Sequence, residues 1–168
     1  GYYPIDRCYS KKAQEDFDKG VPEELNGVEL EGSDASQNGN SWYDRFGRYA
    51  HEAFSSWYFA KAIEKIASAG KALYPALPLC MNTIVGEVRQ QIGGQSYSSG
   101  APVGRVLEIW QKGAPSIAAF GADIYQEHKS GYLATCESHA RLGNPLFIPE
   151  TGTGGEGFAI NHIHAAAD

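Results

Sequence analysis

The sequence is poor in cysteine and in positive charge, and it lacks any long apolar run. Its three cysteines cannot make a complete disulfide framework, and its 14 Lys and Arg residues are outnumbered by 20 Asp and Glu residues, which gives a net charge of −6. No basic cluster interrupts this acidic balance, so a nucleic-acid partner is not expected. No stretch approaches the roughly 18 consecutive apolar residues of a membrane span, so a membrane partner is not expected either.

The cysteines have different settings in the sequence. Cys80 stands inside the apolar run of residues 77–81, which predicts a buried and inert thiol. Cys8 and Cys136 are far apart along the chain, and nothing in their spacing requires or forbids a bond between them. The cysteines therefore do not indicate whether the protein works in an oxidising or a reducing compartment.

What the sequence does contain is an alternation of helical and strand patterns. Residues 1–43 are polar and predict irregular structure with a short helix over residues 11–17. Apolar residues at three- and four-residue steps then predict a long amphipathic helix over residues 44–69, stopped by Gly70. The later segments alternate as predicted strands (77–84, 116–125 and 145–149) and predicted helices (102–113, 126–142 and 157–167).

Strands that alternate with helices predict an α/β fold with parallel strands. Periodicity alone leaves two architectures open, an open doubly wound sheet and an arc of a (β/α)8 barrel. In (β/α)8 enzymes, catalytic residues sit at the carboxyl ends of the strands, which meet at one edge. Glu150 follows the apolar run 145–149 directly, so its carboxylate is expected at that edge. A capping or ion-paired glutamate is the alternative interpretation.

Five ordered segments make the pattern more specific. The stretch GNPLFIPETGTGG at 143–155 resembles the seventh-strand signature of β-galactosidases similar to glycoside hydrolase family 35, a family of retaining TIM-barrel enzymes. In the same order, HEAFSSWYFA resembles the family's fourth helix, LPLCMN strand five, SGAPVGRVLEIW the loop and helix after it, and APSIAAFGADIY strand six. The resemblance covers residues 42–165, and residues 6–10 match the region just after strand four.

The resemblance implies a fold and a set of roles. It implies that residues 1–168 are the C-terminal half of a TIM-barrel domain, a partial (β/α)8 barrel in which 1–43 form the loop region after strand four and 44–168 carry strands five to seven. It implies that Glu150 is the nucleophile and that Tyr125 orients Glu150, with a packing tyrosine as the alternative interpretation of Tyr125. Asn82 and Asp123 are expected to bind the sugar; the alternatives are a turn-forming asparagine at 82 and a structural ion-pair partner at 123. No metal or organic cofactor is implied, and the implied partner is a carbohydrate substrate.

The resemblance also implies a missing part. In this family the general acid/base closes strand four in an Asn-Glu pair, and this sequence has no such pair. The N-terminal half of the barrel is therefore expected to lie upstream of Gly1, and the isolated chain is expected to be inactive. Because the true N-terminus is expected there too, the compartment stays unassigned, with a secreted or periplasmic location possible.

Two other motifs suggest different chemistry. Residues 152–157 fit G-x-G-x-x-G after a strand, the pattern of a dinucleotide-binding oxidoreductase. Pro149, Glu150 and Thr151 stand between the last apolar residue of the predicted strand and the first glycine, which counts against that function. His162 and His164 stand two apart on a predicted helix and point to different faces, so they are not expected to share a metal. A noncatalytic carbohydrate-binding remnant of a barrel is the remaining alternative function.

Overall fold

The computed structural model of the protein describes residues 5–84, 92–152 and 154–167, and it has the α/β class that the sequence predicts. The named elements follow each other along the chain as α1 (Lys11–Asp18), α2 (Trp42–Phe46), α3 (Ala50–Leu73), β1 (Leu79–Ile84), α4 (Leu107–Gly113), β2 (Ile117–Asp123), α5 (Lys129–His139) and α6 (Glu156–Ala167). Single 3₁₀ turns cover Glu23–Leu25, Gly47–Tyr49 and Gly104–Val106.

The sheet has two parallel strands. Leu79 pairs with Ile117 at one end, and Ile84 pairs with Asp123 at the other. Parallel neighbours need a crossover, and α4 supplies it between the strands. Both predicted strands are thereby confirmed, with slightly shorter bounds than the apolar runs suggested. The carboxyl ends of β1 and β2 lie side by side.

The prediction of a third strand over residues 145–149 is wrong, because this segment does not form a regular strand. The segment does run beside β2, because the Ala122 N–H donates to the Phe147 carbonyl at 3.1 Å and a parallel bridge joins Ile124 to Thr151. Prolines at 145 and 149 have no N–H to donate, so a continuous ladder cannot form. The segment is also not buried as expected, since its first two residues and Pro149 are exposed.

The long helix predicted over residues 44–69 is divided. Ser41 caps α2 through a capping box with Asp44, and the chain then turns at Gly47, whose φ is +52°. A side chain at Gly47 would collide with Asp34, so glycine is required there. The predicted stop at Gly70 is also wrong, because α3 continues through it to Leu73.

The main core lies between α2, α3 and α4. Trp42, Phe46 and Trp110 are among its side chains with no more than 1% exposure, and the Trp110 indole N–H donates to the Gly100 carbonyl at 3.1 Å. The polar N-terminal region contributes more than the sequence suggested. Phe17, Leu25, Val28 and Leu30 are all buried in the same core.

The two faces of the sheet differ. Phe120 of β2 and Met81 of β1 pack against the helical core, whereas Cys80 and Asn82 of β1 are exposed. The prediction of a buried Cys80 thiol is therefore wrong, because its side chain lies on the face away from the helices. Cys8 is exposed and Cys136 is buried, and the two do not form a disulfide bond. Within the described ranges, no helix is long and apolar enough to cross a membrane.

Candidate functional site

The ends of β1 and β2 bring together an amide and a carboxylate. Asn82 lies two residues before the end of β1, and Asp123 is the last residue of β2. The parallel register sets them on neighbouring strands, so the Asn82 side chain reaches across. Its Nδ2 donates to Asp123 Oδ1 at 3.1 Å and to Asp123 Oδ2 at 2.9 Å. The Asp123 carboxylate is thus held at the carboxyl edge of the sheet.

Glu150 joins this pair from the segment beside β2. The Ile124 N–H donates to the Glu150 carbonyl at 2.9 Å, which fixes the backbone. The Tyr125 hydroxyl donates to Glu150 Oε2 at 2.6 Å, and Asn82 Nδ2 lies 3.5 Å from Glu150 Oε1. The structure therefore brings all four predicted site residues into one group, which we call the carboxylate cluster (Asn82, Asp123, Tyr125 and Glu150).

Burial and charge divide the cluster into two kinds of carboxyl group. Asp123 is only 3% exposed, and this burial raises the pKa of its carboxyl group. The charge of Glu150 raises that pKa further, while the hydrogen bond from Asn82 lowers it. Glu150 is exposed to solvent, so its carboxylate is the more accessible of the two.

Tyr125 is suited to act as a permanent donor. Its hydrogen bond to Glu150 raises the pKa of the phenol, followed by smaller effects of burial and of the Glu150 and Asp123 charges. The hydroxyl therefore keeps its proton at neutral pH and holds one carboxylate oxygen of Glu150 in a fixed direction. The other oxygen faces the Asn82 amide, so the carboxylate is oriented from two sides.

The glycine-rich turn after Glu150 has a packing role at its start. Thr153 lies outside the described residues, but Gly152 lies directly against the Phe158 ring, where a side chain would collide with it. This close approach explains why position 152 is a glycine, and a phosphate ligand is not needed to explain it.

His162 Nε2 lies 3.0 Å from the Thr151 hydroxyl, and no group of three or more potential metal-binding side chains occurs within the described residues.

Two polar groups were not identified from the sequence. One joins the buried Glu52 to Tyr97 and Arg105, and the other joins Asp6 to His51 and Tyr43. Asp6 and His51, like Glu52 and Tyr97, are 45 residues apart, and no motif spans such distances. The His51-Glu52 pair at the start of α3 is the one local signal, and it falls inside a predicted amphipathic helix.

Comparisons with known proteins give no independent assignment. No protein-family model matches the chain, and no curated protein sequence matches it significantly. The carboxylate cluster and the segments that carry the resemblance are therefore the features that bear on function.

Proposed function

We propose that this chain is part of a retaining glycoside hydrolase with a (β/α)8-barrel domain, acting on β-galactosides or related β-glycosides. The observation that carries the proposal is the orientation of Glu150, whose two carboxylate oxygens face the Tyr125 hydroxyl and the Asn82 amide at the carboxyl edge of the sheet. An exposed carboxylate oriented in this way is suited to attack a bound sugar. Asp123, held by Asn82, lines the same edge.

Two features support the barrel. β1, β2 and the segment at 145–151 lie side by side in chain order, as consecutive barrel strands do. Helices cover one side of the sheet, where Phe120 packs, and the other side carries the exposed Cys80 and Asn82. A doubly wound sheet has helices on both faces, whereas a barrel closes its inner face with its own remaining strands.

The mechanism follows from the position of Glu150. One of its carboxylate oxygens attacks the anomeric carbon and forms a covalent glycosyl-enzyme, while the leaving oxygen receives a proton from a general acid. That acid is not supplied by an Asn-Glu pair of this sequence, so we place it in the N-terminal half of the barrel, upstream of Gly1. Water then attacks the intermediate as the same group acts as a base. The reaction needs no metal or organic cofactor.

The enzyme assay requires a polypeptide that contains the upstream half of the barrel. We expect it to hydrolyse p-nitrophenyl β-galactoside or a related β-glycoside and to release the sugar first as the β-anomer, seen by proton NMR. Release of the α-anomer would contradict the retaining mechanism. Sugar binding without turnover would favour the noncatalytic carbohydrate-binding remnant. That alternative also agrees with the lack of an Asn-Glu pair in this sequence. Binding of NAD would favour the oxidoreductase.

The Tyr125 hydroxyl is expected to contribute to turnover. Tyr125→Phe keeps the ring and removes the donor to Glu150, so kcat should fall by about 10- to 10²-fold, since hydrogen bonds to charged groups contribute about 1.5–3 kcal/mol. Tyr9→Phe is the matched control, because the exposed Tyr9 also donates to a carboxylate, that of Asp6 at 2.6 Å. Equal kcat values for the two variants would show that Tyr125 has no part in orienting Glu150.

A further inference from the structure

A second group of polar side chains lies on the surface formed by α1, α2 and the start of α3. His51 Nδ1 lies 2.8 Å from Asp6 Oδ2, and His51 Nε2 lies 2.7 Å from the Tyr43 hydroxyl. Tyr9 donates to the same Asp6 oxygen at 2.6 Å. We call Asp6, His51 and Tyr43 the surface relay. A carboxylate, an imidazole and a hydroxyl follow each other in this relay. In enzymes with the same arrangement, the carboxylate orients the imidazole, and the imidazole acts as the base that activates the hydroxyl as a nucleophile.

The fold holds each member in place. The turn at Gly47 separates α2 from α3, and the Tyr43 hydroxyl of α2 contacts His51 at the second position of α3. Phe17, Tyr43 and Tyr9 surround the imidazole, with ring centroids 5.6, 5.6 and 6.1 Å from that of His51. The imidazole is therefore confined by packing as well as by its two hydrogen bonds.

The Asp6 segment is fixed independently of the relay. The Ser99 N–H donates to the Ile5 carbonyl at 2.8 Å, and the Ser55 hydroxyl donates to the Asp6 carbonyl at 3.1 Å. Burial opposes ionisation of Asp6, but hydrogen bonds from Tyr9, the Arg7 N–H and His51 together lower the pKa of its carboxyl group. In the tautomer with its proton on Nδ1, His51 donates to the Asp6 carboxylate, and its Nε2 accepts from the Tyr43 hydroxyl.

We propose that the surface relay makes the Tyr43 hydroxyl a nucleophile that accepts an acyl group from an activated ester. Tyr43 is 54% exposed, so an ester reaches its hydroxyl. The phenol oxygen attacks the ester carbonyl carbon, and its proton passes to His51 Nε2. The tetrahedral intermediate then collapses, the bond to the leaving group breaks, and the departing oxygen takes the proton from His51. The product is an O-acyl tyrosine at position 43, and the imidazole returns to its starting state.

Tyr9 and Tyr74 provide internal references in the same molecule. Tyr9 is 58% exposed, but its hydroxyl donates to a carboxylate, which raises the pKa of the phenol. Tyr74 is 69% exposed and follows the end of α3, away from the relay. If exposure alone set the rate of acylation, Tyr9 and Tyr74 would both react faster than Tyr43. Faster acylation of Tyr43 therefore requires assistance from His51.

The test is acetylation of the full chain by p-nitrophenyl acetate, with the site and rate measured by peptide mass spectrometry at neutral pH. General-base assistance contributes about 10²- to 10⁴-fold, so Tyr43 should be acetylated at least about 10²-fold faster than Tyr74. His51→Gln should lower the Tyr43 rate to that of Tyr74. Asp6→Asn should lower the Tyr43 rate at least about tenfold, because the orienting charge is lost.

The comparison of tyrosines in the unaltered chain does not require that any variant folds. A Tyr43 rate equal to that of Tyr74 would overturn the proposal and leave the relay a structural link between Asp6 and α3. Acetyl groups found on His51 or on lysines but not on Tyr43 would overturn it as well. A His51→Gln variant that is folded and keeps the fast Tyr43 rate would show that the imidazole is not the base.

Discussion

Replacing Glu150 by Gln is expected to lower the turnover of the complete enzyme by at least about 10⁴-fold, because removal of an attacking nucleophile has an effect of this size or larger. The substitution keeps the shape of the side chain and its contact with Tyr125, so folding should be unaffected. Glu156→Gln is the control, since Glu156 is exposed, follows Glu150 by six residues and begins α6. That variant should keep wild-type kcat.

The covalent intermediate gives a direct readout of the same prediction. A 2-deoxy-2-fluoro galactoside should label the complete enzyme, and peptide mass spectrometry should find the sugar on Glu150. Glu127 is the other competing carboxylate, an exposed residue whose carbonyl accepts from Asn161 of α6 at 3.0 Å. A label on Glu127 or Glu156, or full turnover in the Glu150→Gln variant, would disprove the assignment.

The second large effect is expected in the free energy of unfolding. Arg105→Met should destabilise the protein by about 3–5 kcal/mol, because it leaves the buried Glu52 carboxylate without its cation. Glu52 is 1% exposed, and Arg105 Nη1 donates to its Oε2 at 3.1 Å. The Tyr97 hydroxyl donates to Glu52 as well, and burial followed by the Glu52 charge raises the pKa of that phenol.

Arg48 offers a matched control for Arg105. Both guanidinium groups lie over the Tyr49 ring, with the Arg105 Cζ 4.3 Å and the Arg48 Cζ 4.9 Å from its centroid, but Arg48 is exposed. Arg48→Met should therefore cost less than about 1 kcal/mol, as exposed pairs do. The measurement is urea-induced unfolding followed by circular dichroism. Equal losses in the two variants would show that stacking on Tyr49, and not neutralisation of Glu52, is what Arg105 contributes.

A double variant separates the ion pair from its burial. Glu52→Leu combined with Arg105→Met replaces both charges by apolar groups, and such replacements are often neutral or stabilising. The double variant should therefore be more stable than Arg105→Met alone. If it is less stable, the hydrogen bond from Tyr97 and the close approach of Gly93 to Glu52 matter more than the charges.

The local pattern of the sequence was enough to predict the α/β class and the parallel order of β1 and β2, because apolar runs of strand length alternated with helical spacing. It also placed Glu150 directly after an apolar run, and parallel strands bring the residues at their carboxyl ends to one edge. Asn82, Asp123 and Tyr125 were named because the resemblance implies roles for residues at the ends of strands five and six. Their catalytic roles depend on the resemblance and stay predictions.

Tertiary structure alone decided the features that depend on contacts between distant segments. The sequence did not show that Gly47 would turn the chain, because the need for glycine comes from the approach of Asp34. It did not show that Cys80 is exposed, because an apolar run does not indicate which face of its strand the helices will cover. Nor did it show the groups around Glu52 and His51, since their hydrogen bonds join residues 45 apart that only the packing of loops against α3 brings together.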